Sequence, residues 1–452
     1  MSGSLFDAAI GSGWSLSQRF TALKRIVPKA DVARALHLAG KDRSFCPVMP
    51  AWLVVWFVVG LGLFHRDSYR QIFRHLIHHR PPPERPTLCE ARQRVGARPL
   101  ALLCKLVIQP LARSDTPGAF YAGMRLMALD AFTLDVYDSP ANDKAFGRPG
   151  SGRGRSAFPQ VRVLSLCEAG THVLWKSLIR KYAVGEGTMA PHLIRHLQAD
   201  MLLLWDKNFF KFDRIRQVLA RGANLLAMVR TGLILLPIQR FSDGSYLAKS
   251  YRSAYARDHD LFGIMVRVIE YTFNDPGRKG HGEKHRLITT LLDPVAHPAT
   301  TLIELYHVRW EEELAIDELK THQMIKPLLK SQTPAGVIQE IMGLLLGHFV
   351  VRTLMFEAAE TKSVSPLRIS FTGALNILEV RLPLYPKTPA AQQVWRADVI
   401  REISNEILPP RTNRINPRVI KRKMSKWKKK RPEHSHYPQP TKQFGESVVL
   451  LR

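Results

Sequence analysis

The chain has 452 residues, 45% of them hydrophobic, which excludes an intrinsically disordered protein and allows two or three domains with cores of their own. Lysine and arginine number 66 against 38 aspartate and glutamate, a formal charge of +28, so the expected partner is a polyanion, most simply nucleic acid, bound with strong salt dependence. Cys46, Cys89, Cys104 and Cys167 are scattered without a CxxC pair, which argues against a zinc site or a disulfide framework and fits a reducing cytoplasm.

No basic stretch followed by an apolar core opens the chain, so no secretory signal is expected. From about Phe20 to His79 the apolar spacing is helical, with Phe20, Leu23, Ile26 and Val27 in one segment and Tyr69, Ile72, Phe73, Leu76 and Ile77 in another. Between them, Cys46 to Phe64 is uncharged and approaches the length of a membrane span. Pro47 and Pro50 shorten the helix it can form, so a buried helix beginning near Pro50 is expected, with no membrane partner. His75, His78 and His79 have no acidic or thiol partner nearby in the sequence and read as a solvated helix end beside Arg80. Pro81 to Pro86 ends that helix, a further helical stretch covers about Thr87 to Arg113, and a helical DNA-binding domain is assigned to residues 1–120.

Met124 to Val136 reads as a strand with Asp130 inside it. A carboxylate in a core strand is costly unless paired or metal-bound, which makes Asp130 a functional candidate. Asp135 has the opposite strand parity, and Asp138 lies roughly 26 Å further along an extended strand, too far to share a metal pair with Asp130. Gly147 to Arg155 is a glycine-rich cationic loop whose Arg153 and Arg155 could follow a phosphate backbone; the plainer reading is a long hairpin turn. Val161–Leu166 and His172–Trp175 look like a strand pair, followed by a helix from about Ala190 to Ala199. Met201 to Trp205 is continuously apolar, as in a buried parallel strand, and ends at Asp206, where ligands gather in open α/β sheets.

A helix around Arg214–Arg221 and a strand around Asn224–Val229 continue the α/β pattern. Residues 230–300 then read as a β-rich insertion, with strands at Ile234–Ile238, Tyr246–Tyr251, Leu261–Phe273 and His285–Leu292 separated by glycine turns. His281, Glu283 and His285 fall in it without the HExxH spacing and read as a DNA-facing loop. Leu305 to Gln323 reads as one helix. At about 100° per residue, Tyr306, Arg309, Glu313 and Lys320 share a stripe about 60° wide, while Val308, Trp310, Leu314, Ala315 and Leu319 anchor the other faces. A carboxylate flanked by cations suits metal-bound phosphate chemistry; spacing alone equally allows a solvated helix with an Arg309–Glu313 ion pair. An apolar helix is expected around Val337–Phe356. Between Arg411 and Arg431 lie 11 Lys or Arg residues, no acid, and Trp427, which suits phosphate contacts with base stacking or, alternatively, a solvated tail.

With these residues in hand, the chain resembles the insertion-sequence-four family of DDE transposases. The family's Tyr-x2-Arg-x3-Glu-x6-Lys signature is met by Tyr306, Arg309, Glu313 and Lys320, and its strand-borne acids by Asp130 and Asp206. The resemblance extends to the N-terminal segment and spans roughly the first 330 residues. It implies a ribonuclease-H-like α/β core over residues 121–350, carrying the β-rich insertion, preceded by the helical domain and followed by a C-terminal helical region and basic tail over 351–452.

The resemblance further implies a bacterial cytoplasmic enzyme in which Asp130, Asp206 and Glu313 bind two Mg2+ ions, with Mn2+ able to substitute, to cut the ends of an insertion sequence and join 3'-hydroxyls to target DNA. Tyr306, Arg309 and Lys320 would contact double-stranded DNA near the scissile phosphates, two copies would synapse two ends, and a DNA hairpin is one route for the second strand. Where many relatives follow the second acid with Arg-Gly-Phe, this chain has Lys207, Asn208 and Phe209. The alternative functions are a transposase-derived DNA-binding protein without cleavage and, on Cys46–Phe64 alone, a membrane-associated basic protein.

Overall fold

The computed structural model describes residues 16, 18–42, 49–77, 80–151, 154–324, 328–409, 419–420, 428–429, 431–436 and 438–451. Cys46, Pro47, His78, His79, Arg153, Trp427 and most of the Arg411–Arg431 stretch lie outside them. Two compact units interleave along the chain, one from the described parts of Met1–Leu193 and Glu311–Leu408, the other from those of Ile194–Trp310 and Pro409–Arg452.

The first unit is built around two apolar helices. Ala51–Leu63 follows Pro50 as expected and buries every side chain except Trp52, because a helix apolar on all faces needs protein on all faces. Against it packs Pro334–Thr361, started by the Thr333 hydroxyl accepting from the Gly336 amide, with Pro334 in its first turn. This is the described helix long and apolar enough to cross a membrane, and 83% of its most apolar window is buried inside the protein. Where the two helices meet, a methyl on Gly62 would overlap the Gly343 carbonyl and one on Gly343 would overlap the Val58 carbonyl, so the backbones touch. Phe20 completes the cluster, edge-on to Trp56 and Phe64 with ring centroids 6.0 and 6.1 Å away.

Around this pair stand Lys29–Leu38, Tyr69–Leu76, Arg85–Val95 and Arg98–Val107. The last two replace the single helical stretch expected over 87–113, divided by Gly96 at φ 73°. Ser68 and Gln71 form a reciprocal capping box at the start of Tyr69–Leu76. His75 near its end does have an acidic partner, Asp67 at 2.6 Å, a contact between residues eight apart that sequence proximity did not suggest. The buried Arg92 ties Arg85–Val95 to the long helix through Gln339 Oε1 at 3.0 Å and the Gly336 carbonyl at 2.8 Å. Beside the helices, Met124–Val136, Gln160–Glu168 and Val173–Lys181 form an antiparallel sheet, with Asp130 opposite Ser165 and Leu328–Leu329 added parallel to Asp135–Val136.

In the second unit, Met201–Trp205 runs parallel to Asn224–Met228, which is joined by an antiparallel series through His285–Thr289, Ile264–Phe273 and Tyr246–Ser250. Val448–Leu450 pairs with the far end of Ile264–Phe273. Two expected elements differ. Ile234–Ile238 is not a strand, with Ile234, Leu236 and Ile238 55%, 64% and 56% exposed; Pro237 has no amide proton to offer, and pairing starts beyond it, with the Ile238 amide on the Leu247 carbonyl at 2.8 Å and Gln239–Arg240 beside Tyr246–Leu247. The helix expected from about Ala190 to Ala199 is a single turn, Pro191–Ile194, divided from the preceding turn Glu186–Met189 of the first unit at Pro191, which has no amide proton.

The glycine contact gives a direct test of the packing. Gly343→Ala should destabilise the protein by about 1–3 kcal/mol or more in urea denaturation, since backbone carbonyls must move to admit the methyl, whereas Gly232→Ala, which meets open space, should change little. Equal stability of the two variants would show that the helices separate at no cost.

Candidate active site

Asp130 sits in the middle of its strand, half-buried, with Oδ1 accepting the Ala131 amide at 2.8 Å. The neighbouring acids are engaged elsewhere: Asp135 accepts from Gln160 Nε2 at 2.7 Å, and Asp138 pairs with Arg148. Asp206 directly follows the five buried residues Met201–Trp205. It is half-buried, has φ −79° and ψ 160°, and accepts the Lys207 amide at 2.6 Å, so its carboxylate caps the short turn Lys207–Phe209. Both acids are thus oriented by an adjacent backbone N–H.

Tyr306 lies in the same unit as Asp206. Its phenol is 5% exposed and donates to the Trp205 carbonyl at 3.2 Å, one residue before the acid. Burial pushes this phenol far above its ordinary pKa, Arg309 opposes that shift and the Asp206 charge adds to it, so Tyr306 stays a neutral donor. Arg309 is likewise 5% exposed, with its guanidinium 4.8 Å from the centre of the Trp310 ring.

The four signature residues are not on one helix. Ala299–His307 carries Tyr306 and ends; the Val308 and Arg309 amides then close tight turns onto Leu305 and Tyr306, at 3.0 and 3.1 Å, three residues back instead of four. A new helix, Trp310–Asp317, carries a half-buried Glu313, with Glu311, Glu312 and Glu313 all in its first turn, where the helix dipole favours anions. Lys320, half-buried, belongs to a π-helical continuation, Glu318–Gln323, closed by the Met324 amide on Leu319 O at 3.1 Å. A 3.6-residue lattice drawn straight through 305–323 misses both irregularities because hydrogen-bond pattern, not apolar spacing, sets them.

The sequence also gave little sign of the charges packed around Glu318. Glu318 receives Arg352 Nε at 2.9 Å and lies 3.2 Å from His348 Nε2 and 3.0 Å from His172 Nδ1, while His172 Nε2 donates to Glu311 at 3.0 Å. Burial alone would raise the Glu318 carboxyl, but Arg352, His172 and their hydrogen bonds outweigh it and hold it well below the usual range; burial keeps His348 low and therefore neutral. The available signal was His348 and Arg352, two polar residues one turn apart within the apolar middle stretch of that helix, after Met342–Gly347.

Of the loop arginines, Arg155 ends a two-residue antiparallel pair with Gly150–Ser151 and is 70% exposed, 4.0 Å from Asp143, a contact of little strength. Arg153 lies outside the described residues. Asp130, Glu313 and Lys320 belong to the first unit, and Asp206, Tyr306 and Arg309 to the second. Among the described residues no three His, Cys, Asp or Glu side chains form a ready metal-binding cluster. The chemistry of the three carboxylates nevertheless fits a divalent ion: hard oxygen donors, with no thiol or imidazole among them, suit Mg2+ or Mn2+.

Residues 17–105 match the insertion element 4 transposase N-terminal family, and residues 121–349 match the transposase DDE domain family. Transposase InsG for insertion sequence element IS4, from Escherichia coli (strain K12), is 27% identical over 423 residues, which is 91% of this chain and 94% of that protein. Putative transposase InsZ of the same organism is 26% identical over 141 residues, 31% of this chain and 47% of that protein. A cryo-EM structure of the piggyBac transposase synaptic complex with hairpin DNA is similar at a TM-score of 0.43 and 12% identity over 87% of this chain and 86% of that one, too distant a likeness to carry an argument.

The chain belongs to the DDE transposases, with the N-terminal domain of the insertion element 4 group. It is an enzyme that cuts and joins DNA, and its helical N-terminal part followed by a mixed-sheet core is the ribonuclease-H-like architecture of that class. DDE domains work with divalent metal ions.

Tyr306→Phe should cost about 1 kcal/mol in urea denaturation, because it strips the buried Trp205 carbonyl of its side-chain donor beside Asp206. An unchanged unfolding midpoint would mean that this hydrogen bond does not hold the end of the strand.

Proposed function

We propose that the protein binds the inverted-repeat ends of its own insertion sequence as double-stranded DNA, cleaves them with Asp130, Asp206 and Glu313 as metal-binding carboxylates, and joins the freed 3'-hydroxyls to target DNA. The observation that carries this reading is the setting of the acids. Asp206 follows a fully buried strand, Asp130 interrupts a core strand, and Glu313 lies in the first turn of a helix, each half-buried and so neither sealed in the core nor fully in water. When bound there, a pair of Mg2+ ions, or Mn2+ in their place, supplies the charge that activates the attacking oxygen and steadies the leaving one.

The chain's own residues have separate tasks in this reading. The Ala131 and Lys207 amides aim two of the carboxylates. Lys320 and Arg155, with Arg153, offer cations to phosphate oxygens. Tyr306 and Arg309, buried as they are, shape the Asp206 end of the strand from behind instead of meeting DNA directly. Synapsis of two ends by a homodimer completes the cut-and-paste reaction, and the second strand opens through a hairpin.

The test uses a supercoiled plasmid carrying the reading frame with its native flanking DNA. Asp130→Asn, Asp206→Asn and Glu313→Gln should each lower Mg2+-dependent cleavage by about three orders of magnitude or more while plasmid binding persists. Wild-type cleavage by any one of them would remove that residue from the site. Denaturing electrophoresis of the wild-type products checks the second-strand route, since covalently closed ends migrate at twice the length of open ones.

A separate measurement addresses Lys320. Lys320→Ala should weaken plasmid binding and reduce the slope of log affinity against log salt by about one unit. An unchanged slope would argue against a phosphate contact.

A further inference from the structure

We infer that the buried cluster of His172, Glu318, His348 and Arg352 positions Glu313, by fixing the rotation of its helix and the point at which that helix becomes π-helical; this rests on the reading of Glu313 given above. Glu311 and Glu318 are seven residues apart, two turns of an α-helix, and so lie on one face. His172 spans that face, with Nε2 on Glu311 and Nδ1 against Glu318, both at 3.0 Å. Glu313 is two residues beyond Glu311, about 200° further round, so the cluster grips the back of the helix and leaves the Glu313 carboxylate directed the other way.

The four members come from three separate elements of the first unit. His172 ends the turn between Gln160–Glu168 and Val173–Lys181 in a left-handed conformation, φ 58°, uncommon for a residue with a side chain, and its imidazole is 1% exposed. His348 and Arg352, 1% and 2% exposed, come from the long helix Pro334–Thr361. Glu318, which they meet, is the first residue of the π segment. Gln323 fixes the other end of that segment, with Nε2 donating to Gly62 O at 2.9 Å and Leu344 O at 3.0 Å. The angular offset between Glu313 and Lys320 is therefore set where the cluster ends the α-helical hydrogen bonding, and His172, Glu318, His348 and Arg352 are positioning residues that need no contact with DNA.

The full-length protein and the same plasmid serve for the test, with single-turnover cleavage measured across a Mg2+ titration. His172→Ala should slow cleavage about tenfold and raise the half-saturating Mg2+ concentration about fivefold, with plasmid binding unchanged within about twofold. Amide exchange should quicken over residues 311–323, and His172→Gln, whose amide can still donate to a carboxylate, should recover most of the rate. A purely structural role would lower the active fraction and leave the half-saturating Mg2+ where it was, so cleavage within about twofold of wild type, or slower cleavage at unchanged Mg2+ demand, overturns the inference. If His172→Ala does not fold, Glu311→Gln, at the partly exposed edge of the cluster, decides by the same readings. Glu313→Gln run in parallel separates the two ideas: wild-type cleavage by it sinks the active-site reading, whereas an inactive Glu313→Gln beside a normal His172→Ala sinks the positioning role alone.

Discussion

The position of the Pro334–Thr361 helix depends on a contact between two backbones that have no side chains to separate them. At Gly62 and Gly343 there is no room for a methyl, and Gly347 approaches the same stretch, 3.1 Å from Gly62 C and 2.9 Å from Gln323 Nε2 by its absent Cβ. Such a contact leaves little freedom: sliding or rotating either helix would drive a Cα–Cβ bond from a neighbouring residue into a carbonyl. Once the long helix is set against Ala51–Leu63, the direction of every other face follows. One turn presents Gln339 to Arg92, another presents His348 and Arg352 to Glu318.

Burial of charge in that helix is better understood as orientation than as stability. Arg352 and Glu318 both leave water, and in an interior of low dielectric the cost of doing so is of the same order as their attraction. What the arrangement supplies is uniqueness. A carboxylate that meets a guanidinium and two imidazoles has one satisfactory place, and removing any partner leaves a buried charge short of hydrogen bonds. The same logic appears around Glu168, 0% exposed, which accepts the Leu111 and Ala112 amides and pairs with Arg125. Two carboxylates thus lock the sheet of the first unit to its surroundings, Glu168 directly from the end of its own strand and the helix-borne Glu318 through His172.

The strands that carry the acids were legible because their physics is local. Met124–Val136 and Met201–Trp205 begin and end where apolar patterning and flanking polar residues say they should, and Asp130 and Asp206 are conspicuous as carboxylates in such segments. The buried helix after Pro50 was legible for the same reason. The segment Ile234–Ile238 was not, since β-propensity cannot report that pairing begins only beyond Pro237, at Gln239–Arg240, and leaves the apolar side chains before it in water. The cluster around Glu318 was invisible because it joins residues 146 and 34 positions apart in sequence, a turn histidine and a helix arginine to one glutamate. No periodicity encodes that meeting; only the fold does.

The signature Tyr306, Arg309, Glu313, Lys320 illustrates the difference between a spacing and a surface. Read as a regular helix, it is one polar stripe facing a substrate. In the fold it divides: a phenol and a guanidinium that are almost wholly buried, and a carboxylate and an ammonium that are half-buried on a different helical segment, beyond two tightened turns and across an α-to-π transition. The fixed intervals are then constraints on backbone path more than on a contact surface. Three residues from Tyr306 to Arg309 span the break between helices, four more bring the chain into the first turn of the next helix at Glu313, and seven more carry it past Glu318 into the π segment at Lys320. An insertion or deletion between Glu311 and Glu318 would shift one of them off His172 and at the same time change the offset of Lys320 from the start of the helix, which is a physical reason for the spacing in that part to be fixed even where the side chains themselves touch only protein.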